Sequence, residues 1–131
     1  MPLAKTIRVV ASVVERDGKY LITQRRPSAV LPLMWEFPGG RVEGSETDAD
    51  ALKREVLHRL GARIECGKLI SFVSHPYEHY TVDLFLYECR LLSDKLESLA
   101  VQDYRWVTSQ QFEEYPFTPA DEASMNKLLG V

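Results

Sequence analysis

The hydrophobic pattern changes period several times along the chain, and each change predicts an element. Ile7 to Glu15 (IRVVASVVE) is a β-branched run that predicts a strand, Asp17-Gly18 predicts a hairpin turn, and Tyr20 to Gln24 predicts its partner. Pro27 to Pro32 reads as loop, and within Trp35–Gly40 (WEFPGG) the Pro38-Gly39-Gly40 run reads as a tight turn with exposed backbone. Thr47, with Asp50 three positions later, is placed to cap a helix that Gly61 ends from the C′ position. Ile70 to Val73 and Thr81 to Glu88 are expected as strands joined through the loop Ser74 to Tyr80, with Arg105 to Val107 as a last short strand. Two short helices close the pattern. One starts near Thr108 with Gln111 at the capping-box position, and the other runs from Thr118, with Pro119 in its first turn, to Gly130.

The central helix divides into two faces. At about 100° per residue, Ala49, Leu52, Val56 and Leu60 share one arc flanked by Leu57, which is the expected core face. Arg54, His58, Ala51, Glu55 and Arg59 fill the other arc, where the small Ala51 lets a ligand or the preceding loop approach closely. Together with the interleaved strands, this split predicts an α/β sandwich with a mixed sheet between helices, with Leu52, Val56 and Leu60 buried.

Composition narrows the class without naming it. A chain of 131 residues, 45% apolar, fits one domain spanning residues 1–131. Sixteen basic against nineteen acidic residues give a net charge of -3, so no global field favours nucleic acid or an anionic membrane, and phosphate binding would be a local property. The short Arg25-Arg26 pair does not change this. The opening segment is too soon interrupted by charge for a signal peptide or a spanning helix, so the expected location is cytoplasmic. Cys66 and Cys89 form no paired-cysteine metal motif and read as small packing residues, with a disulfide left open.

Gly40, Glu46, Arg54, Glu55, Val56, Gly61 and Ala62 stand at the spacing of a Nudix box, and the chain resembles the Nudix hydrolases, in particular the MutT-like nucleoside triphosphate pyrophosphohydrolases. The likeness extends to Arg25 at the end of the second strand, to WEFPGG, and to Tyr115–Asp121 (YPFTPAD), which is similar to the segment with which MutT-like enzymes read a base. It implies a Nudix fold, an α-β-α sandwich, and attack of water on a phosphorus of a nucleoside diphosphate linkage assisted by divalent cations. By position, the resemblance makes the Gly40 carbonyl and Glu55 metal ligands and Glu46 with Arg54 a supporting pair, so that Glu55, Glu46 and Arg54 are the candidate catalytic set.

His58 and Arg59 stand where the family has two further carboxylate ligands. Imidazole is a poor magnesium ligand, and Arg59 places a fixed positive charge where a cation would sit. The resemblance also implies a loop glutamate before Trp106. Counting back places Ala100 there, with Glu97 and Asp103 as nearby substitutes or as ordinary loop charges. Mg2+ or Mn2+ is therefore expected to bind weakly, or not at all. Arg59, at i+4 from Glu55, can pair with that carboxylate or contact a polyphosphate directly.

For substrate, Arg25 is either a phosphate or base contact or a charged strand end, and Asp121 either meets a base edge, caps the helix from Thr118, or does both. Phe37, His75 and Tyr77 are candidate stacking walls, against ordinary packing for each. The expected partner is a small-molecule nucleotide, with no nucleic acid and no membrane, and a homodimer left open. Two functions stand side by side: a pyrophosphohydrolase with a depleted metal site, and a nucleotide-binding or sensing domain that has lost hydrolysis.

Overall fold

The structure is a computed structural model and describes residues 5–130. Strand β1 (Lys5–Arg16) turns through Asp17 and Gly18 into β2 (Lys19–Gln24). Both turn residues have positive φ, 54° and 76°, as a two-residue hairpin turn matched to the strand twist requires. β2 is flanked by the two-residue β3 (Trp35–Glu36) and by β7 (Asp103–Val107), both antiparallel. On the flank it shares with β2, β1 pairs antiparallel with the short β4 (Gly39–Arg41); on the opposite flank it runs parallel to β6 (Tyr80–Leu91), and β5 (Ile64–Pro76) pairs with β6 at the sheet edge. The sheet is therefore mixed.

Alternation along the strands sends side chains into two cores, one on each face. Val10 and Val14 of β1 and Leu21 of β2 pack with Leu52, Val56 and Leu60 of α1 (Asp48–Leu60). Ala11, Val13, Ile22, Leu84 and Leu86 pack on the opposite side with Phe112 of a 3-10 helix (Ser109–Glu114) and with Ala120 and Met125 of α2 (Pro119–Leu129). This is the expected α-β-α sandwich. Leu52, Val56 and Leu60 are essentially sealed from solvent, and at roughly 1.5–3 kcal/mol for each large apolar side chain they anchor α1 to the sheet.

The helix ends follow their caps. Asp50 N–H donates to Thr47 Oγ1 at 3.1 Å, and Gly61, at φ 65°, returns its N–H to the Leu57 carbonyl. Leu57 itself is exposed, outside the core it was expected to flank. Thr108 N–H donates to Gln111 Oε1 at 2.8 Å, and Gly130 closes α2 at φ 76°. Arg8 of β1 holds the first turn of α1 through a two-pronged contact with Asp48, at 2.7 and 2.8 Å, which keeps that carboxyl below the usual carboxylate range.

Two expectations change. The β5–β6 hairpin is far longer than Ile70–Val73 with Thr81–Glu88: β5 extends to Pro76 and β6 begins at Tyr80, so His75 lies in a strand and only Tyr77–His79 remain as loop. The Pro38-Gly39-Gly40 run is no exposed turn. Gly39 and Gly40 have no positive φ; they form β4, paired through Ala11↔Gly39 and Val10↔Gly40. Their lack of a side chain serves close approach instead, since a Cβ on Gly39 would lie 2.0 Å from the Val10 carbonyl oxygen.

No helix of the described residues is long and apolar enough to cross a membrane.

Candidate functional site

Gly40 seats Glu55. A Cβ on Gly40 would lie 2.3 Å from the Glu55 carboxylate, so that side chain rests directly on the glycine backbone, and Ala51 one turn earlier is fully buried. Of the arc of α1 that the sequence shows as ionisable, Ala51 and Glu55 are thus buried against β4, Arg54 and Arg59 are half-buried and His58 is exposed. Glu55 is 7% exposed overall, and a carboxylate so placed requires partners.

It has two. Arg54 Nη1 donates to Glu55 Oε1 and Arg59 Nε donates to Oε2, each at 2.7 Å. Arg54 also grips Glu46 with Nε at 2.7 Å and Nη2 at 2.9 Å, and donates to the Arg41 carbonyl. Glu46 in turn accepts from the Glu43 N–H, and the Arg54 guanidinium holds the Glu46 carboxyl below its ordinary range. On the other side Arg59 lies 3.6 Å from Glu36, whose carboxylate accepts from Arg25 Nη1 at 3.1 and 3.2 Å. The result is an alternating chain of charges, Glu46, Arg54, Glu55, Arg59, Glu36 and Arg25, in which Arg59 lies between two carboxylates. Glu36 is the member that spacing did not single out; the nearest signal was its place in WEFPGG, one residue before Phe37.

At the far end lies Asp121. Its Oδ2 accepts from the Thr118 hydroxyl at 2.6 Å and its Oδ1 from the Phe37 N–H at 3.0 Å. Burial pushes the carboxyl up to about 7, with the nearby Glu36 charge acting in the same direction and the two hydrogen bonds opposing them. Of the expected capping box only half forms: the Asp121 N–H donates to Thr118 Oγ1 at 3.4 Å, while the Thr118 N–H goes to the Trp35 carbonyl and not to the Asp121 side chain.

Three adjoining hollows connect these groups into one cleft. The first, about 310 Å³, has Tyr77, Tyr80, Val82, Leu84, Thr118 and Asp121 on its walls. The second, about 240 Å³, crosses Glu36, Gly40 and Arg59. The third, about 290 Å³, is walled by Arg25, Arg26, Glu55, His58, Arg59 and Ala100. A larger cavity of about 610 Å³ opens between the 3-10 helix and α2, around Phe112, Tyr115 and Met125, but contains none of the ionisable groups of the box.

The cleft gathers Arg25, Glu55, Arg59, Tyr77 and Asp121. Phe37 borders the second hollow, but its side chain is 2% exposed and packs at 6.1 Å against both Phe112 and Phe117, and its N–H donates to Asp121. His75 stands behind Tyr77, ring centroids 4.7 Å apart, while Tyr77 stacks at 5.3 Å on Tyr80, an aromatic the sequence left unassigned. Ala100 does lie beside Glu55 and Arg59, donating its N–H to the Arg59 carbonyl at 3.1 Å. Glu97 is exposed and Asp103 pairs with Arg105 at 2.9 Å, and neither is among the residues walling the hollow beside Glu55.

A glycine strand beneath a helical glutamate, braced by a second glutamate and an arginine, is the frame of a phosphohydrolase of the Nudix type. The family described as NUDIX domain matches residues 9–127, and the chain belongs to it. It is similar to the CTP pyrophosphohydrolase of Escherichia coli K12, 32% identical over 117 residues that cover 89% of this chain and 87% of the relative. The 8-oxo-dGTP diphosphatase of Haemophilus influenzae is 27% identical over 126 residues, covering 95% and 93%. The solution structure of the E. coli ORF135 protein superposes with a TM-score of 0.82 at 29% identity, covering 99% of this chain and 94% of that one. The chain is thus MutT-like in sequence and in fold.

Nudix enzymes generally work with a divalent cation, and the donors here do not fit one. Both oxygens of Glu55 are engaged by guanidinium groups, and so are both oxygens of Glu36. Among the described residues no group of three or more His, Cys, Asp or Glu side chains is arranged around a common point. A hard cation takes about six oxygens, and displacing Arg59 would leave two carboxylates competing with Arg54 and Arg25.

Proposed function

We propose that the protein binds a nucleoside triphosphate in this cleft without a divalent metal and turns it over slowly. The observation that carries the reading is Arg59, held between Glu55 and Glu36 in the position where the family resemblance puts a metal ligand. The base goes to the end walled by Tyr77, Tyr80 and Asp121, where an aromatic face and a hydrogen-bonding carboxyl supply stacking and an edge contact. The phosphates go to the end with Arg25, Arg26, His58 and Arg59, where guanidinium forks match phosphate oxygens. A triphosphate is favoured over a diphosphate because this end has several cationic side chains and because the relatives' own names specify nucleoside triphosphates.

Slow turnover follows from the same substitution. A fixed guanidinium stabilises phosphate charge but does not lower the pKa of a water as a coordinated divalent ion does. Glu55 is the remaining acid beside the phosphates, and both its oxygens are engaged by Arg54 and Arg59. A nucleoside triphosphate panel tests the proposal, with binding followed by calorimetry and phosphate and pyrophosphate release followed with magnesium and with manganese. Expected are measurable binding in chelator and release near the uncatalysed background. Arg59→Met is expected to weaken binding about tenfold, the scale of one charge-assisted contact. Rapid release that chelation abolishes, lost in Glu55→Gln, would instead establish a metal-dependent hydrolase with a reduced ligand set.

A further inference from the structure

Two sulfur nucleophiles that the cleft does not use face each other across the sheet. Cys66 of β5 and Cys89 of β6 are direct partners in the antiparallel register, so their side chains leave the same face. The packing agrees: Cys89 belongs to the core beneath α1, and Cys66 packs against that same core. Both are free thiols. Directly opposed residues of an antiparallel pair have Cα atoms about 4.5–5.5 Å apart, within the span of a disulfide. Beyond the pair β5 departs from regular pairing, with a register shift between Cys66 and Leu69. There Gly67 passes so near Glu88 that a Cβ would lie 2.6 Å from its carbonyl oxygen.

The two sulfurs differ in access. Cys66 is partly exposed and opens onto a hollow shared with Arg8, Glu46, Asp48 and Tyr87, whereas Cys89 is 7% exposed. That hollow lies on the outer side of Glu46 from the cleft hollows, none of which Glu46 lines. Burial, together with the neighbouring Cys66, pushes the Cys89 thiol up to about 12, which makes it a poor first nucleophile.

We propose that Cys66 and Cys89 are a reversible oxidation site whose co-substrate is a peroxide, closing to an intramolecular disulfide. The Cys66 thiolate attacks one peroxide oxygen; the S–O bond forms, the O–O bond breaks, and hydroxide leaves, taking up the proton the thiol had released to become water and giving a sulfenic acid. The Cys89 sulfur then attacks the Cys66 sulfur; the S–S bond forms, the S–O bond breaks, and the hydroxyl leaves as water with the Cys89 proton. Two thiols are oxidised and one hydrogen peroxide is reduced to two waters. The link staples β5 to β6 on the sheet face that carries α1, at a position none of the cleft hollows touches. Stability therefore changes while nucleotide binding does not.

The experiment uses the full chain treated with hydrogen peroxide, then alkylated and mapped by mass spectrometry without reductant. Expected are a Cys66–Cys89 peptide link with loss of two hydrogens, a melting temperature raised by roughly 5–10 °C, reversal of both by dithiothreitol, and nucleotide affinity within about twofold of the reduced form. Cys89→Ser should stop at a sulfenic acid on Cys66 that dimedone captures, and Cys66→Ser should leave Cys89 reduced. Inert thiols, a sulfinic acid on Cys66 without the link, or a link that forms only between chains or only in denaturant would each overturn the proposal. The wild-type mapping decides the matter even if a serine variant fails to fold.

Discussion

The two ends of the cleft hold charge in opposite ways. At the Asp121 end a single carboxyl is buried beside apolar walls and satisfied by two neutral donors, so its charge is disfavoured and it titrates near neutrality. At the Arg59 end the charges alternate in sign and each carboxylate has guanidinium partners. The difference teaches what each end can recognise. A neutral, hydrogen-bonding end suits the edge of a base. A pre-assembled cationic end suits phosphate oxygens.

The largest expected effect comes from reversing the charge at the cationic end. His58→Glu/Arg59→Glu should convert background turnover into magnesium-dependent phosphate release, raised by about 10²-fold or more. Unchanged release at saturating magnesium would show that the two ends differ for reasons other than the missing carboxylates.

The glycine platform gives the next test. Gly39→Ala forces a Cβ onto the Val10 carbonyl and should cost about 3 kcal/mol in a denaturant titration. Gly40→Ala meets the flexible end of Glu55 and should cost less, while displacing that carboxylate and weakening nucleotide binding. Equal costs would mean that the strand, and not the carboxylate seat, sets the requirement for glycine.

At the other end the effect is a pH dependence. The folded-state value of Asp121 lies above its unfolded value, so its share of stability is complete below about pH 4 and is lost as pH rises through about 7. Asp121→Asn should flatten that slope between about pH 4 and 8. A slope that persists in the variant would assign it elsewhere. Smallest is Tyr77→Phe, which removes the acceptor for the Ala120 N–H at 3.1 Å and should cost no more than about 1 kcal/mol.

Much of this was legible in the chain because it is local. Thr47 with Asp50, Gly61 in the left-handed region and the Leu52, Val56 and Leu60 stripe fix α1 within a few residues, and the Glu46 and Arg54 spacing falls on one bonded pair. What escaped depends on distance. Glu36 meets Arg25 and Arg59 only once β3 lies beside β2 and beneath the helix. β5 hid its length because it is an edge strand with Lys68, Leu69 and Phe72 exposed, which blurs the alternation. Phe37 shows the limit of residue type: an aromatic beside a glycine run fits a ligand wall or a core, and only the neighbouring Phe112 and Phe117 decide it.

The central claim is that Arg59 supplies in fixed form the positive charge that relatives take from a metal. Calorimetric titration of a nucleoside triphosphate, once in chelator and once in excess magnesium, tests it most directly. The account predicts affinities that agree within about threefold, and a loss of about tenfold in chelator for Arg59→Met. Binding that vanishes in chelator and returns with magnesium, unaffected by Arg59→Met, would contradict it.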